Sequence, residues 1–172
     1  HGPVLYHWLE HLHEDSAEIL GTYGYQQYEI SNYAKPGYMC RHNAGYWQRR
    51  EYLGFGLGAS SLYRELRFSN TRRMQEYLTD SGKLEQIRKE VTVLSRNEQI
   101  EEFMFLGLRM TEGISEKLFK ETFGVRIMDI YGDILQKYEA IGFMEHIETK
   151  WCLTRKGIHV SNHILADFLL DE

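Results

Sequence analysis

Residues 126–141 read RIMDIYGDILQKYEAI and contain the clearest helical repeat of the chain. Isoleucine, leucine and tyrosine recur every three or four positions, at Ile127, Ile130, Tyr131, Ile134, Leu135 and Tyr138. This spacing places the six side chains on one face, which predicts an amphipathic helix packed against a core. Gly142 follows, a residue type that commonly ends a helix.

The residues around this helix predict further helices and a hairpin. Upstream, Ser95 and Glu98 have the spacing of a capping box, in which both side chains bind amides at a helix start. A short helix is expected after Ser115. Downstream, residues 143–153 predict a two-stranded hairpin, and Thr154 is expected to cap a last helix. Three helices, a hairpin and a final helix form a winged-helix-like order.

The first part of the chain predicts fewer regular elements. Residues 4–20 predict a helix, residues 25–31 a strand, and residues 52–59 (YLGFGLGA) a buried, glycine-rich strand. A hairpin or loop then leads to a helix at 71–80. An α/β sheet needs more strands than these, and the chain opens without an initiating methionine. We therefore expect the last piece of a larger α/β unit, with a small self-contained module as the alternative.

A domain junction is expected near residue 83. Residues 63–96 carry a net positive charge and residues 97–148 a net negative charge, and a turn-rich TDSG sequence precedes the change of sign. We therefore expect an incomplete α/β unit over residues 1–83 and a helical domain over residues 84–172.

Composition excludes several classes of protein. The 172 residues carry a formal net charge of −5, a poor footprint for a nucleic-acid binder. No apolar run reaches the roughly 18 residues that span a bilayer, and no secretory signal is present. We therefore expect a cytoplasmic protein without a transmembrane segment or a nucleic-acid partner. The two cysteines, Cys40 and Cys152, are too few for a four-cysteine zinc site or an iron–sulfur cluster without other ligands.

The densest group of chemically active side chains lies at residues 40–50 (CRHNAGYWQRR), expected to form a loop between strands. The imidazole of His42 can ligate a metal or haem iron. Tyr46 and Trp47 suit a flat conjugated ligand, and arginines such as Arg41 pair with carboxylates, including porphyrin propionates. The alternative is a surface loop that Tyr46 and Trp47 fix to the core.

The glycine-rich run GFGLG at residues 54–58 has the wrong spacing for a dinucleotide site, which needs GxGxxG. Glycines in a strand nevertheless allow a ligand to approach closely. In barrel enzymes the ligands lie at the carboxyl ends of strands, which would place Ser60 and Ser61 near one. Tight strand packing is the alternative explanation of the glycines.

Two weaker signals complete the candidates. Glu29 and Ser31 end the other predicted strand, where a polar residue more often forms a turn. His7 and His11 have a spacing that can chelate a metal on one helix face, but no wider metal-binding motif accompanies them.

Several motifs together resemble a known family. Residues 28–37 (YEISNYAKPG), followed by CRHN, are similar to the oxygen-independent coproporphyrinogen III oxidase-like radical-SAM proteins. The HNxxYW motif that marks their haem-chaperone (HemW-like) branch is matched by His42, Asn43, Tyr46 and Trp47. Three further segments resemble the family's late barrel strand and its C-terminal domain, namely 52–59, 102–109 and 153–157.

This resemblance implies a fold of class α/β plus α+β. The C-terminal remnant of a radical-SAM partial TIM-like barrel would precede a helical, winged-helix-like domain. It also implies that His42 is a haem contact or the axial metal ligand. The predicted cofactor-binding residues are Arg41, His42, Asn43, Tyr46, Trp47, Ser60 and Ser61.

One departure from the family limits the expected activity. The CxxxCxxC motif, which holds the cluster that cleaves S-adenosylmethionine, is absent. Cluster and S-adenosylmethionine are thus expected only in a full-length parent, and this chain alone should be inactive as a radical enzyme. We expect the parent to bind haem and deliver it to haem-dependent proteins, with the missing N-terminal part of the barrel as a further partner. The alternatives are oxidative decarboxylation of coproporphyrinogen III by the parent, or a protein-docking module.

Overall fold

A computed structural model describes residues 14–170 of the chain. Over these residues, three small antiparallel sheets alternate with helices. Residues 14–22 are helical and form α1, which agrees with the later part of the helix predicted at 4–20. The earlier part of that prediction, with His7 and His11, lies outside the described residues. No helix in the described range has both the length and the apolar character that crossing a membrane requires.

The first half of the chain places a short helix between a two-stranded and a three-stranded sheet. The elements are β1 (Gln26–Glu29), β2 (Asn32–Ala34), α2 (Arg41–Trp47), β3 (Ser60–Tyr63), β4 (Leu66–Asn70), α3 (Met74–Asp80), α4 (Leu84–Ile87) and β5 (Arg88–Val93). β1 pairs with β2, and the second sheet has the order β3-β4-β5. The strand predicted at 25–31 is confirmed over residues 26–29, and of the hairpin or loop expected after residue 60 the structure has the hairpin. β5, which the sequence analysis missed, pairs with β4 from beyond residue 83, and the domain boundary there stays a prediction.

The strand predicted at residues 52–59 is wrong. Tyr52 makes a single bridge to Leu62, and residues 53–59, here called the glycine loop, follow without strand pairing. Gly56 and Gly58 have φ angles of 105° and 63°, which an extended strand cannot contain. Phe55 in this loop is 88% exposed, so the segment is not buried.

The second half of the chain follows the predicted order with one added strand. The elements are α5 (Arg96–Gly107), β6 (Ile114–Ser115), α6 (Glu116–Phe123), α7 (Ile127–Ala140), β7 (Met144–Ile147), β8 (Lys150–Leu153), α8 (Arg155–His159) and α9 (Ser161–Ala166). The added strand is β6, which gives a sheet of order β6-β8-β7. The capping box of Ser95 and Glu98 is confirmed, as are the caps at Ser115 and Thr154. The predicted last helix is divided at Val160 into α8 and α9.

The main core lies in this second half, around α7. The helical face predicted at 126–141 is confirmed, because its side chains are buried or pack against the buried cluster. α5, α6 and α9 supply six of the buried side chains that face it, namely Ile100, Met104, Phe119, Phe123, Ile164 and Leu165. This core supports the elements that position the site described below.

Tyr131, at the centre of this core, provides a test of its packing. Its buried hydroxyl donates to the carbonyl oxygen of Phe168 at 3.0 Å, and burial raises the pKa of the phenol. A phenol with a higher pKa in the folded state stabilises the fold below its unfolded pKa of about 10, and this contribution is lost as the pH rises further. We expect Tyr131→Phe to lower the free energy of unfolding by about 1–2 kcal/mol at neutral pH.

The same substitution should reduce the loss of stability above pH ~10, since the variant has no phenol at this position to ionise. Urea unfolding at neutral and alkaline pH measures both effects. If the free energy of unfolding fell as steeply above pH ~10 in Tyr131→Phe as in the unmodified chain, the prediction would be contradicted.

Candidate functional site

Residues 41–47 form a helix, α2, and not the expected loop. Side chains four positions apart share a helical face, so His42 and Tyr46 lie on one side while Asn43 and Trp47 lie on another. Ala44, in the middle of the helix, is buried. The predicted binding residues within 41–47 are therefore divided between two surfaces of this short helix.

The face with His42 and Tyr46 borders an open groove. The imidazole of His42 packs edge-on against Tyr46, with ring centroids 4.7 Å apart, and Tyr46 packs in the same way on Tyr52 at 4.5 Å. These rings line a groove of about 550 Å³, completed by Leu53, Gly54, Phe55, Ala59 and Ser60. The volume lies within the range of about 300–1,000 Å³ typical of small-molecule sites. We call this site the aromatic groove.

A smaller depression of about 180 Å³ adjoins the aromatic groove. It shares His42, Tyr46 and Tyr52 with the groove and adds two arginines, Arg41 and Arg50. The site therefore combines an imidazole, flat aromatic rings and guanidinium groups on one continuous surface. These groups can ligate a metal, stack on a conjugated ring and bind carboxylates, respectively.

The other face of α2 is fixed to the rest of the chain. Asn43 Nδ2 donates to the hydroxyl of Tyr28 at 3.2 Å, and the guanidinium of Arg109 lies 4.4 Å from the ring centre of Trp47. Nε of Arg109 in turn donates to Oε1 of Glu29 at 2.7 Å, and its Nη2 lies 2.7 Å from the same oxygen as an ion-pair contact; the Glu29 side chain is fully buried. The alternative interpretation of this segment was that Tyr46 and Trp47 fix it to the core. Trp47 has packing contacts of this kind, whereas Tyr46 lines the groove.

The residues just after α2 make a second attachment. Arg49, with 9% of its side chain exposed, pairs with Glu65 at 2.5 Å and with Glu102 at 3.1 Å, while Arg67 also pairs with Glu102. Burial lowers the pKa of Arg49, but the hydrogen bonds and charges of the two carboxylates outweigh it and raise the pKa. This network could not be found from the sequence, because its members are distant in the chain and have no common motif.

The two predicted serines differ in position. Ser60 is exposed and lines the aromatic groove. The hydroxyl of Ser61 is buried and accepts a hydrogen bond from the amide of Gly54 at 3.0 Å, so it supports the glycine loop from below. Ser61 does not line the groove, whereas Tyr52 and Phe55, which the sequence assigned to a buried strand, do.

The two cysteines lie in different environments. Cys40 is exposed just before α2, whereas Cys152 is buried in β8 and donates to the carbonyl oxygen of Glu112 at 3.4 Å. Burial raises the pKa of the Cys152 thiol and so disfavours the thiolate that binds metals. The cysteines of this chain therefore do not fit the cluster of a radical-SAM centre.

Comparison with known proteins agrees with this architecture. Residues 94–160 match the model of the HemN C-terminal domain family. Heme chaperone HemW of Lactococcus lactis is 34% identical over 161 residues, which cover 94% of this chain and 42% of that protein. The protein of the same name from Bacillus subtilis is 34% identical over 148 residues, which cover 86% of this chain and 39% of that protein. The one from Escherichia coli is 30% identical over 163 residues, which cover 92% of this chain and 42% of that protein.

One solved structure has the same fold over most of the chain. Coproporphyrinogen III oxidase (HemN) from Escherichia coli, described as a radical SAM enzyme, superposes with a TM-score of 0.68. The match covers 91% of this chain and 39% of that one, at 16% sequence identity. The shared mixed α/β fold is that of the corresponding region of HemN.

These comparisons define the class: the chain belongs to the oxygen-independent coproporphyrinogen III oxidase-like radical-SAM family. Within the family it belongs to the haem-chaperone, HemW-like branch, as the HNxxYW residues predict. The chain spans about two fifths of the length of the curated relatives it matches.

Proposed function

We propose that this chain is the C-terminal region of a haem chaperone and binds haem in the aromatic groove, with His42 as the iron ligand. The observation that carries the proposal is the exposed imidazole of His42, held against Tyr46 at the edge of an open groove on a helix anchored from its other side. A neutral imidazole is the commonest protein ligand for transition metals and a usual ligand of haem iron. The aromatic rings beside it provide an apolar surface for a flat porphyrin.

The openness of the groove favours a chaperone that passes haem on to haem-dependent proteins. Leu53 and Phe55 leave 50% and 88% of their area exposed, so cargo in the groove stays accessible from outside. The relatives that share 34% identity with this chain are named heme chaperones, whereas the oxidase HemN shares 16%. Sequence similarity therefore supports the chaperone over the oxidase.

The proposal includes the architecture of the parent. We propose that residues 1–83 belong to the end of a radical-SAM partial barrel whose missing N-terminal part carries the cluster and S-adenosylmethionine. Residues 84–172 then form a winged-helix-like domain. The order α5-β6-α6-α7-β7-β8, with β8 between β6 and β7, supports this description of the second domain.

Haem titration tests the role of His42. The unmodified chain is expected to bind haem saturably, with a shifted Soret band, and His42→Ala should bind at least about tenfold more weakly because it loses the bond to iron. His163→Ala is the matched control, since His163 is an exposed histidine on α9, outside the groove, and its removal should change neither spectrum nor affinity. His42 is itself exposed, so its replacement is expected to leave the fold intact.

Two results would contradict the proposal. One is the absence of saturable haem binding by the unmodified chain, and the other is the same spectrum and affinity in His42→Ala. The exposed thiol of Cys40, just before α2, provides a specific alternative ligand. A Soret shift that is lost in Cys40→Ser and kept in His42→Ala would assign the iron to the thiolate.

A further inference from the structure

We propose that Arg41 and Arg50 bind carboxylates beside the aromatic groove, so that the site recognises a flat macrocycle with ionised carboxylates at its edge. The inference rests on the proposed function, because it assigns the parts of a haem-like ligand to two adjoining regions of one surface. Arg41 is one of the binding residues predicted from the sequence. Arg50 belongs to the same arginine-containing segment but was not among those predicted residues, and the structure places it beside the groove.

Both arginines line the depression of about 180 Å³ that adjoins the groove. The rings of His42, Tyr46 and Tyr52 line the depression and the groove alike, so the two regions are continuous. A ligand whose ring lies against this aromatic wall therefore has the region lined by the two arginines beside it.

The local backbone explains why Arg50 reaches this position. Its amide donates to the carbonyl oxygen of Gly45 at 2.9 Å, which turns the chain back after α2. Its Cδ lies 3.8 Å from the point that a Cβ on Gly45 would occupy, so the side chain lies along the helix at Gly45. Arg41 is one turn earlier on the same helical face as Gly45. The fold thus brings together two arginines that are nine positions apart.

Both guanidinium groups are available for an anion. Within residues 14–170, no carboxylate oxygen lies within 4.0 Å of either one, in contrast to the paired Arg49 and Arg109. One acidic residue, Glu51, also lines the depression, and its Oε1 accepts a hydrogen bond from the amide of Arg64 at 2.7 Å. Two cations and one carboxylate leave the depression net positive in a chain whose net charge is −5.

Guanidinium groups bind carboxylates through paired hydrogen bonds of matching geometry. The propionate groups of haem are carboxylates at one edge of a flat ring, so they have the chemistry this arrangement recognises. The arginines would then orient the ligand, while His42 binds its iron. This division of roles predicts that esterified propionates weaken binding without affecting the iron ligand.

The test compares haem with its dimethyl ester, which keeps the iron and the ring but has no free carboxylates. The unmodified chain should bind haem about tenfold more tightly than the ester, as expected for partly exposed ion pairs. Arg41→Gln/Arg50→Gln should bind both ligands with the affinity the unmodified chain has for the ester. Added salt should weaken the binding of haem more than that of the ester.

Arg126→Gln is the control, because Arg126 is an exposed arginine at the start of α7, outside the groove. It should leave both affinities unchanged. Equal affinity of the unmodified chain for haem and ester, with a spectrum that still depends on His42, would overturn the arginine proposal and leave the proposed function standing. An equal loss of both ligands in the double variant would also overturn it, since the arginines would then act on the fold. If the unmodified chain binds neither ligand, both proposals fail.

Discussion

Replacing Arg109 with methionine is expected to lower the free energy of unfolding by about 3–5 kcal/mol. The partner carboxylate of Glu29 is fully buried, receives a hydrogen bond of 2.7 Å from Nε of Arg109 and forms an ion pair with its Nη2 at 2.7 Å. Without the guanidinium, the donors to this carboxylate that remain among residues 14–170 are the amide of Ser31 and the side-chain amide of Asn32. A buried charge that loses its ion partner is among the most costly defects that one substitution produces.

Urea unfolding of Arg109→Met and of Glu29→Gln/Arg109→Met measures this effect. The double variant should be the more stable of the two, because a neutral amide replaces the unpaired carboxylate. Arg126→Met is the control, since its ion pair with Asp129 is exposed and should contribute little. A loss below ~1 kcal/mol in Arg109→Met would contradict the prediction, since it is the size expected for an exposed ion pair.

Replacing Gly157 with alanine is expected to lower the free energy of unfolding by about 3 kcal/mol through overpacking. Gly157 is buried in α8, and a Cβ there would lie 1.9 Å from the carbonyl oxygen of Phe143. The same oxygen accepts a hydrogen bond from the amide of Thr154 at 3.0 Å, so it is held in place. The added methyl group therefore has to separate α8 from the start of the β7–β8 hairpin.

Gly132→Ala is the matched control for this substitution. Gly132 lies inside α7, and a Cβ there would meet only the end of the Met128 side chain, at 3.6 Å. Alanine favours a helix over glycine by about 1 kcal/mol, so this variant should be more stable than the unmodified chain. Thermal unfolding should therefore shift Tm in opposite directions, and two shifts of the same sign would contradict the packing argument.

The elements that sequence analysis predicted correctly are those in which several local signals agree. In α7 the apolar repeat is clear, and at α5 the capping box of Ser95 and Glu98 marks the start. β6 was missed because two residues have no periodicity, and this strand depends on its pairing with β8. β5 was missed because it is an exposed strand, with Val91 and Val93 at 56% and 70% exposure, and has no buried side to reveal it.

The site was predictable in its composition and not in its geometry. The chemistry of His42 and Tyr46 was clear from their residue types, but the segment was expected to be a loop. Seven residues with a glycine among them have little helix propensity of their own, and α2 is held by contacts with distant residues. The same contacts decide which motif residues line the groove, so Trp47 could not be distinguished from Tyr46 by sequence.

The attachments of α2 have a consequence for the order of events during protein synthesis. Arg49 is bound by a residue 53 positions later, and Glu29 pairs with one 80 positions later, whose guanidinium also covers Trp47. A nascent chain that has not yet emerged as far as Arg109 lacks these contacts, and of the attachments described above it has only those of Asn43 to Tyr28 and of Arg49 to Glu65. His42 is thus translated well before the residues that fix Trp47 and Arg49 from the C-terminal half, and we expect α2 to reach its final position only after Arg109 has emerged from the ribosome.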